Sequence, residues 1–340
     1  MNGAVLEVRE LRTVLSLRGG PVEVVRGISF AVREGEAVAL VGESGCGKTM
    51  TALSILRLVP DPPARIVGGE ILLGGRNLLE LSARAMRAVR GETVSMVFQE
   101  PLTSLDPVFT VRAQLVEAVR AHRKVSKGEA AELALAVLRE VHIPSPERRL
   151  DAYPHELSGG LRQRVMIAMA LINNPNILIA DEPTTALDVT IQAQILNLIR
   201  EEQDRRKLAV LLITHNLAVV RQIADRVAVM YAGEIVEEAP TDEIFENPRH
   251  PYTQGLLRSI PSIDSDREYL IDIPGRVPDP RVPPPACLFA PRCPYSLDRC
   301  WQEHPRLEEE TPDHKFRCWN PQPFEALEWE EPEASASGAR

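Results

Sequence analysis

A short apolar run that leads into a glycine-rich loop constrains the fold of this chain more than any other feature. Residues 36–41 form the run, and their composition predicts a buried strand. The eight residues that follow without a break are Gly42, Glu43, Ser44, Gly45, Cys46, Gly47, Lys48 and Thr49. A helical pattern comes next and ends at the proline-rich residues 60–63. Strand, loop and helix in this order and with this spacing form a P-loop.

The residue types of the P-loop predict a site for a nucleoside triphosphate. Gly42, Gly45 and Gly47 let backbone N–H groups point at phosphate oxygens, an approach that side chains would obstruct. Lys48 can place a positive charge on the β- and γ-phosphates, and Thr49 can offer its hydroxyl to Mg²⁺. A glycine-rich turn without a ligand is the alternative. The complete match directly after a strand argues against it.

Two carboxylates end a second apolar run. Asp181 and Glu182 follow the apolar residues 177–180. Because buried carboxylates are costly without a cation, Mg²⁺ explains Asp181, whereas an ordinary strand-end turn is the alternative. A third apolar run at residues 208–214 follows a helical pattern at residues 191–206. Strands that alternate with helices predict a parallel sheet covered on both faces.

A serine followed by two glycines marks the start of another helix. These residues are Ser158, Gly159 and Gly160, and apolar side chains recur over residues 165–169. Ser158 is a natural N-cap, and the glycines leave the first backbone N–H groups of the helix open to an anion. A plain capped helix explains the serine but does not explain the glycine pair.

Residues 157–164, which stand between the P-loop and the paired carboxylates, resemble the signature of the ATP-binding cassette family. The resemblance covers about residues 5–240. It implies an ABC ATPase domain at residues 1–240. The implied fold is α/β: a P-loop NTPase (RecA-like) core, an antiparallel β subdomain and a helical signature subdomain at about residues 86–168. Alternating residues at 5–35 and a mostly helical pattern at 82–170 agree with it.

The resemblance also implies roles for individual residues. Glu182 corresponds to the base that polarises the attacking water, and Gln99 to the glutamine that senses Mg²⁺ and this water. His215 corresponds to the histidine that contacts the γ-phosphate. Thr49, Gln99 and Asp181 are then the residues around Mg²⁺. The implied cofactors are ATP and Mg²⁺.

A second set of implied residues acts across a dimer. Ser158, Gly159, Gly160 and Gln163 would contact the nucleotide held by the P-loop of the opposite subunit, so that ATP is sandwiched between two chains. Asp188 belongs to the loop that connects the two sites. The family resemblance therefore predicts ATP-driven dimerisation of two nucleotide-binding subunits.

Three further segments narrow the resemblance. Residues 97–107, 247–257 and 287–294 resemble the ATPases of dipeptide and oligopeptide importers. They imply an oligopeptide-importer extension at residues 241–320, irregular and rich in cysteine and proline, and an ATPase that powers peptide transport across a membrane. Related importers carry nickel or oligosaccharides, which are the alternative cargoes.

The importer resemblance implies partners and a location. The partners are a second ABC ATPase subunit, usually a paralogue, two integral-membrane permease subunits, and an extracytoplasmic substrate-binding protein reached through the permease. The location is peripheral, on the cytoplasmic face of the plasma (inner) membrane. No apolar run approaches the ~20 residues of a membrane-spanning helix, so other chains would supply the channel. A net charge of −9 argues against nucleic acid as a partner.

Four cysteines near the carboxyl end form a separate group. Five, six and seventeen residues separate Cys287, Cys293, Cys300 and Cys318 in turn. Zinc sites usually pair ligands two to four residues apart, so this spacing is a poor zinc pattern. The resemblance favours a 4Fe–4S cluster, because some subfamily members have one. Zinc, free thiols and a disulfide are the alternatives, and His304 and His314 are alternative ligands.

Other classes of protein fit the sequence less well. A DNA-repair ATPase of the same superfamily would carry a long coiled-coil insertion, and a translation-associated one would usually carry two cassettes. A non-transport ABC ATPase or an iron–sulfur redox protein that binds nucleotide is the remaining alternative. The acidic residues 321–340 predict a disordered tail.

Overall fold

The computed structural model describes residues 3–99, 104–185, 187–260, 273–283, 286–311 and 313–324. The strands of this part are β1 (Ala4–Leu17), β2 (Gly20–Arg33), β3 (Ala37–Val41), β4 (Ala64–Leu73), β5 (Arg76–Asn77), β6 (Val94–Val97), β7 (Ile177–Asp181), β8 (Ala209–Thr214), β9 (Arg226–Tyr231), β10 (Glu234–Pro240), β11 (Glu308–Thr311) and β12 (His314–Phe316). Its α-helices are α1 (Lys48–Ile55), α2 (Ala83–Val89), α3 (Val111–Arg120), α4 (Lys127–Glu140), α5 (Pro146–Leu150), α6 (Gly159–Leu171), α7 (Val189–Arg206), α8 (Leu217–Ile223), α9 (Thr241–Glu246) and α10 (Pro251–Arg258).

The first sheet is antiparallel, with the strand order β2-β1-β4-β5. Val8 of β1 lies opposite Phe30 of β2 and, on its other side, opposite Ile71 of β4. All three side chains are buried, which shows that the alternating pattern turns one face of the sheet towards the core. The antiparallel sheet predicted from residues 5–35 is confirmed, and β4 and β5 enlarge it.

The second sheet contains the parallel part of the fold. Its strands β9, β3, β8, β7 and β6 are parallel neighbours in that order. Strands β3, β7 and β8 are buried along their whole length, as expected where helices cover both faces. The carboxyl ends of parallel strands meet at one edge of a sheet, so the loops after these three strands emerge side by side. The predicted α/β fold with a P-loop core is confirmed.

Helices α3 to α6 pack together beside this sheet and contribute to the same core as its strands. A capping box starts α4, because the Ser126 hydroxyl accepts the Glu129 N–H and the Glu129 carboxylate accepts the Ser126 N–H. The expectation of mostly helix over residues 82–170 is correct for this group. It does not hold for β6, because four residues are too few to show the alternating pattern of a strand. The hydrogen bonds of β6 come from its parallel pairing with β7.

The residues beyond 240 extend the second sheet. Strand β12 pairs with β10, and β11 pairs with β12, so antiparallel strands from the carboxyl end complete one edge. In the described part of residues 274–294, a single turn of 3₁₀-helix, Ala290–Arg292, is the one regular element. The proposed division at residue 240 stays a prediction. Residues 325–340, most of the predicted tail, lie outside the described residues, as do residues 100–103 of the importer-like segment.

None of the helices in the described ranges is long and apolar enough to cross a membrane.

Candidate nucleotide site

The P-loop joins β3 to α1 in a conformation that requires glycine at two positions. Gly42 has φ 155°, and a Cβ there would lie 2.1 Å from the carbonyl oxygen of Met230. Gly47 has φ 109°, and a Cβ there would lie 2.5 Å from the carbonyl oxygen of Val24. Both contacts are with backbone, which cannot move aside as a flexible side chain can. The predicted need for these glycines therefore has a second cause besides phosphate access, the close packing of the loop against its neighbours.

The side chains of the loop divide into buried and exposed groups. Lys48 is buried, and its Nζ donates to the carbonyl oxygens of Gly42 at 2.7 Å and Glu43 at 3.0 Å. Cys46 is also buried, so it fills space beneath the loop, and burial raises the pKa of its thiol. Ser44 and Thr49 are exposed. The loop thus holds its lysine within its own curve and presents hydroxyls at the surface.

Thr49 and Asp181 meet at the edge of the sheet. The Thr49 hydroxyl donates to Oδ1 of Asp181 at 3.2 Å, although 132 positions separate them in the chain. Burial raises the pKa of Asp181 to about 6, and the charge of Glu182 adds to this rise. A divalent cation would favour the ionised carboxylate and take an oxygen from each residue. The hydroxyl and the carboxylate therefore fit Mg²⁺ as a donor set.

The Glu182 carboxylate lies at the centre of a set of hydrogen bonds. Its Oε2 accepts from Nε2 of Gln99 at 3.0 Å and from the hydroxyl of Thr185 at 2.8 Å, and its Oε1 lies 2.9 Å from Nδ1 of His215. The Glu182 backbone has φ 47° and its N–H donates to the carbonyl oxygen of Ile213. The structure thus brings together Gln99, Glu182 and His215, which lie far apart in the sequence.

The hydrogen bonds set the charge of Glu182. Burial by itself would raise the pKa of Glu182, but the hydrogen bonds from His215 and Thr185 outweigh it, so that the pKa lies below its ordinary value. The carboxylate is therefore ionised at neutral pH, as a group that polarises water must be. Thr185 did not emerge from the sequence. Its position three residues after Glu182, at the end of a turn, is the signal that could have found it.

Ser158, Gly159 and Gly160 at the start of α6 differ in accessibility. Ser158 is the N-cap residue of α6, as predicted, but its side chain makes no capping hydrogen bond. Ser158 and Gly159 are exposed. Gly160 faces α7, and a Cβ there would lie 2.8 Å from Cγ2 of Ile191. The glycine pair therefore combines an open position with a packing position.

Gln163 does not share the exposure of Ser158. It is 2% exposed, and its Nε2 has no hydrogen-bond partner in the described part of the chain. In this conformation the side chain is closed off from another subunit, so its burial gives no support to nucleotide contact by Gln163, which stays a prediction. The sequence held the signal, because Met166, Ile167 and Ala170 follow at the spacing of one buried helix face.

Asp188 lies beside the same surface. Its Oδ1 accepts the backbone N–H of Ile191 at 2.9 Å and caps α7. The preceding residue, Leu187, would lie 3.7 Å from a Cβ at Gly159. The loop before α7 and the start of α6 are thus neighbours, and the capping bond fixes the loop relative to α7.

The four carboxyl-terminal cysteines are free thiols, and they affect the pKa values of one another. Burial raises the pKa of Cys293 and Cys318 to about 12, and the charges of the neighbouring thiols contribute to the rise. Even so, the described residues contain no group of three or more Cys, His, Asp or Glu arranged to hold a metal ion. Thiols can be close enough to affect the pKa of one another and still be too far apart or wrongly oriented to bind one metal ion. The arrangement of the thiols gives the predicted iron–sulfur cluster no support.

The two histidines named as alternative ligands have other partners. His304 Nε2 lies 3.0 Å from Oε2 of Glu234, and His314 Nε2 lies 2.8 Å from Oε1 of Glu237. These pairs attach the carboxyl-terminal region to β10. A structural role accounts for both histidines.

Two family models match the chain. One, described as ABC transporter, matches residues 25–185, and the other, described as oligopeptide/dipeptide transporter, C-terminal region, matches residues 236–300. The first range holds the P-loop, the start of α6 and the paired carboxylates. The second holds most of β10, all of α10 and three of the four carboxyl-terminal cysteines.

Curated relatives match almost the whole chain. A probable peptide ABC transporter ATP-binding protein of Sinorhizobium fredii is 54% identical, with 92% of this chain and 94% of that protein covered. A dipeptide transport ATP-binding protein of Bacillus subtilis is 50% identical, with 93% and 94% covered. An oligopeptide transport ATP-binding protein of the same organism is 48% identical, with 97% and 92% covered.

Solved structures match the fold. A dimeric ATP-binding cassette in a post-hydrolysis state, bound to ADP and Pi, has a TM-score of 0.63 and 26% identity, with 69% of this chain and 98% of that chain covered. A cassette from Clostridium perfringens, part of an ABC transporter complex, has a TM-score of 0.61 and 27% identity, with 72% and 91% covered.

Proposed function

Because this chain belongs to the ATP-binding subunits of the oligopeptide and dipeptide ABC transporter family, we propose that it hydrolyses ATP to power the import of peptides. The observation that carries the proposal is the arrangement at the carboxyl edge of the parallel sheet. There Thr49 meets Asp181, and Gln99 and His215 both contact Glu182. These are the groups that a magnesium–nucleotide complex and an attacking water require.

Each group then has a chemical task. Lys48 and the backbone N–H groups of the P-loop bind the phosphates, and Thr49 and Asp181 hold Mg²⁺ with Gln99 beside them. Mg²⁺ held there would supply positive charge to the phosphates. Ionised Glu182 orients and polarises the water that attacks the γ-phosphate, while His215 holds the carboxylate from one side. The hydrogen bonds to Glu182 keep it in one orientation, which lowers the entropy cost of reaching the transition state.

Dimerisation follows from the exposed start of α6. Ser158 and Gly159 face solvent, where they are free to contact a nucleotide bound to another subunit. A cassette of similar fold is dimeric with ADP and Pi bound. In this proposal the second subunit is a paralogue or a copy of this chain, and hydrolysis needs both.

The proposal of a peptide cargo and of membrane partners is based on the similarity to relatives. Relatives of 54%, 50% and 48% identity are named for peptide, dipeptide and oligopeptide transport, and the carboxyl-terminal region matches the corresponding family model. The proposed machine contains two permease subunits and receives its cargo from an extracytoplasmic binding protein. The chain itself is peripheral, at the cytoplasmic face of the membrane.

Reconstitution tests this function. The chain, its partner ATPase and the two permeases are placed in proteoliposomes with the binding protein, and ATP hydrolysis is measured with and without ligand. A mixture of di- and oligopeptides should stimulate hydrolysis, whereas nickel or an oligosaccharide should not. Stimulation by nickel or oligosaccharide in place of peptides would reassign the cargo, and the absence of any permease-dependent hydrolysis would reject the importer function.

We further propose that Cys287, Cys293, Cys300 and Cys318 bind a 4Fe–4S cluster. The support is the family resemblance, in which some members carry such a cluster, together with the confinement of four of the five cysteines to residues 287–318. The side chains would have to draw together to bind one, because their present arrangement is not that of a metal site.

Metal analysis separates the cluster from free thiols. Protein purified without oxygen should be brown and contain iron and acid-labile sulfide, each near four per chain. Cys293→Ser should remove the colour and leave ATP binding intact. Colourless protein with stoichiometric zinc, or with no metal, would contradict the cluster.

A further inference from the structure

A buried ion pair connects the cysteine-bearing segment to the P-loop. Arg292 ends the short 3₁₀-helix between Cys287 and Cys293, and its side chain is only 3% exposed. Its Nη1 donates to Oε2 of Glu43 at 2.7 Å, and its Nη2 donates to Oε1 at 3.0 Å. A two-pronged pair of this kind fixes both the position and the rotation of the carboxylate. Residues 249 positions apart are thereby joined at the second position of the phosphate-binding loop.

The arginine is itself held firmly. Its Nε donates to the carbonyl oxygen of Pro274 at 3.0 Å, and its Nη2 also donates to the carbonyl oxygen of Ile273 at 3.0 Å. Its guanidinium lies 5.8 Å from the centre of the Tyr231 ring. These contacts leave the guanidinium little freedom to follow Glu43 if the loop moves. Arg292 is therefore a fixed point to which the loop is attached.

Glu43 is held at its backbone as well. Its N–H donates to the hydroxyl of Tyr252 at 2.9 Å, and its carbonyl oxygen accepts from Nζ of Lys48. Tyr252 is fully buried and packs against Tyr231, with ring centres 4.6 Å apart. Tyr231 also meets Phe289, the residue just before the 3₁₀-helix, with ring centres 5.2 Å apart. One buried cluster thus supports both the backbone and the side chain of Glu43.

We propose that Arg292 is a positioning residue for ATP binding, which acts on the P-loop through Glu43. The inference rests on the proposed ATPase function and adds a residue to it from outside the nucleotide site. Two effects combine. The ion pair cancels a negative charge that belongs to the phosphate-binding loop and would repel a triphosphate, and it fixes the loop in the shape that its N–H groups need. Neither Arg292 nor Glu43 contacts Glu182, the proposed base. The pair should therefore affect binding of the nucleotide and not the hydrolysis step.

Charge removal at Arg292 tests the inference. In the full-length chain, with its partner ATPase where hydrolysis requires it, Arg292→Gln should raise the KM for MgATP on the order of tenfold and change kcat by less than about threefold. Titration with a fluorescent ATP analogue should show the same loss of affinity. Arg281→Gln is the matched control, because Arg281 lies in the same region, is exposed and pairs with Asp279. It should behave as the unchanged protein.

A double variant separates positioning from a loss of structure. Glu43→Gln combined with Arg292→Gln removes the unpaired charge but not the loss of the two-pronged pair, so it should recover part of the affinity for ATP, whereas damage to the carboxyl-terminal segment would persist. Arg292→Lys keeps one charge without the fork and should give an intermediate KM, and it replaces Arg292→Gln if the latter does not fold. An unchanged KM in the Arg292 variants, a loss confined to kcat, or no recovery in the double variant would overturn the inference. Absence of ATP hydrolysis in the unchanged protein would instead reject the proposed function.

Discussion

The charge states of two adjacent carboxylates distinguish their roles. Asp181 is almost wholly buried and its pKa is raised, whereas Glu182 receives hydrogen bonds from three side chains and its pKa is lowered. Burial raises the pKa of Asp181 more than the nearby charge of Lys48 lowers it, and Mg²⁺ would supply further positive charge. A lowered pKa marks a carboxylate that is ready to orient water. Neighbours in sequence can therefore serve two functions because their surroundings differ.

The first prediction concerns Glu182. Glu182→Gln keeps the shape and most of the hydrogen bonds but removes the charge, so we expect ATP binding to persist while turnover falls by about 10²–10⁴. ATP-bound dimer should accumulate, which size-exclusion chromatography with labelled ATP can measure. Glu246→Gln, on an exposed residue at the carboxyl end of α9, is the control. Hydrolysis at the normal rate in Glu182→Gln would remove Glu182 from its proposed role.

The second prediction concerns Asp181 and pH. The pKa of Asp181 is about 6 in the folded chain, compared with 3.8 for an ordinary aspartate. The folded state therefore favours the protonated form more than the unfolded state does. The stability that this contributes is fully present below about pH 4 and is lost as the pH rises through about 6. We expect nucleotide-free protein to lose up to about 3 kcal/mol across this window relative to Asp181→Asn.

Urea unfolding at several pH values, without nucleotide or Mg²⁺, measures this difference. Asp204→Asn, at an exposed position on α7, is the control and should follow the unchanged protein. Parallel pH curves for the unchanged protein and Asp181→Asn would show that Asp181 is not the group responsible.

At the scale of elements, the packing of α6 on α7 explains why two adjacent glycines differ. Gly160 lies too close to Ile191 to accept a Cβ without a shift, while Gly159 has an ordinary distance of 3.7 Å to Leu187. The start of α7 carries Asp188, so a displacement there also moves the loop beside the proposed dimer surface. The glycine pair thus links a packing contact to the surface that a second subunit would meet.

The third prediction follows from this packing. Gly160→Ala should lower the free energy of unfolding by about 1–3 kcal/mol, because the added methyl group overpacks the contact between α6 and α7. Gly159→Ala is the matched control and should leave stability unchanged or raise it slightly, since alanine favours a helix over glycine. Denaturant unfolding of both variants measures the difference. Equal stabilities would mean that the helices separate easily at this point.

Much of the core was predictable from short-range patterns. The run before the P-loop and the two later strands are unbroken apolar runs, and the helix at residues 191–206 shows helical spacing; each forms as expected. The carboxylates were found because they end a buried strand. Loops after parallel strands must meet at one edge, so the meeting of the P-loop with Asp181 also follows from the pattern.

Other features depend on long-range contacts that no local sequence pattern predicts. Strand β6 has four residues and depends on β7 for its ladder, and β12 has three and depends on β10. The ion pair of Arg292 with Glu43 depends on how a proline-rich segment folds back over the core. Only the packed chain decides such pairings, because each partner alone has an ordinary sequence context.

At the scale of the whole molecule, the proposed function leaves the site on one chain incomplete. The P-loop and its carboxylates lie at the edge of the second sheet, whereas Ser158 and Gly159 are exposed at the start of α6. Two chains that exchange these surfaces would complete two sites together. Such an interface is symmetric and closes after two subunits.

The last prediction concerns this assembly. If hydrolysis needs a second subunit, its rate per chain should rise with protein concentration, and the total rate should increase faster than linearly until the dimer saturates. A tenfold dilution in the weakly associated range should lower the rate per chain by up to about tenfold, because the dimer population depends on the square of the free-subunit concentration. Adding the partner ATPase at constant total protein should restore the rate. As a control, binding of a fluorescent ATP analogue to the P-loop of single chains should change little on dilution. A specific activity that stays constant over a hundredfold dilution, with the chain monomeric by light scattering, would show that one subunit hydrolyses ATP alone.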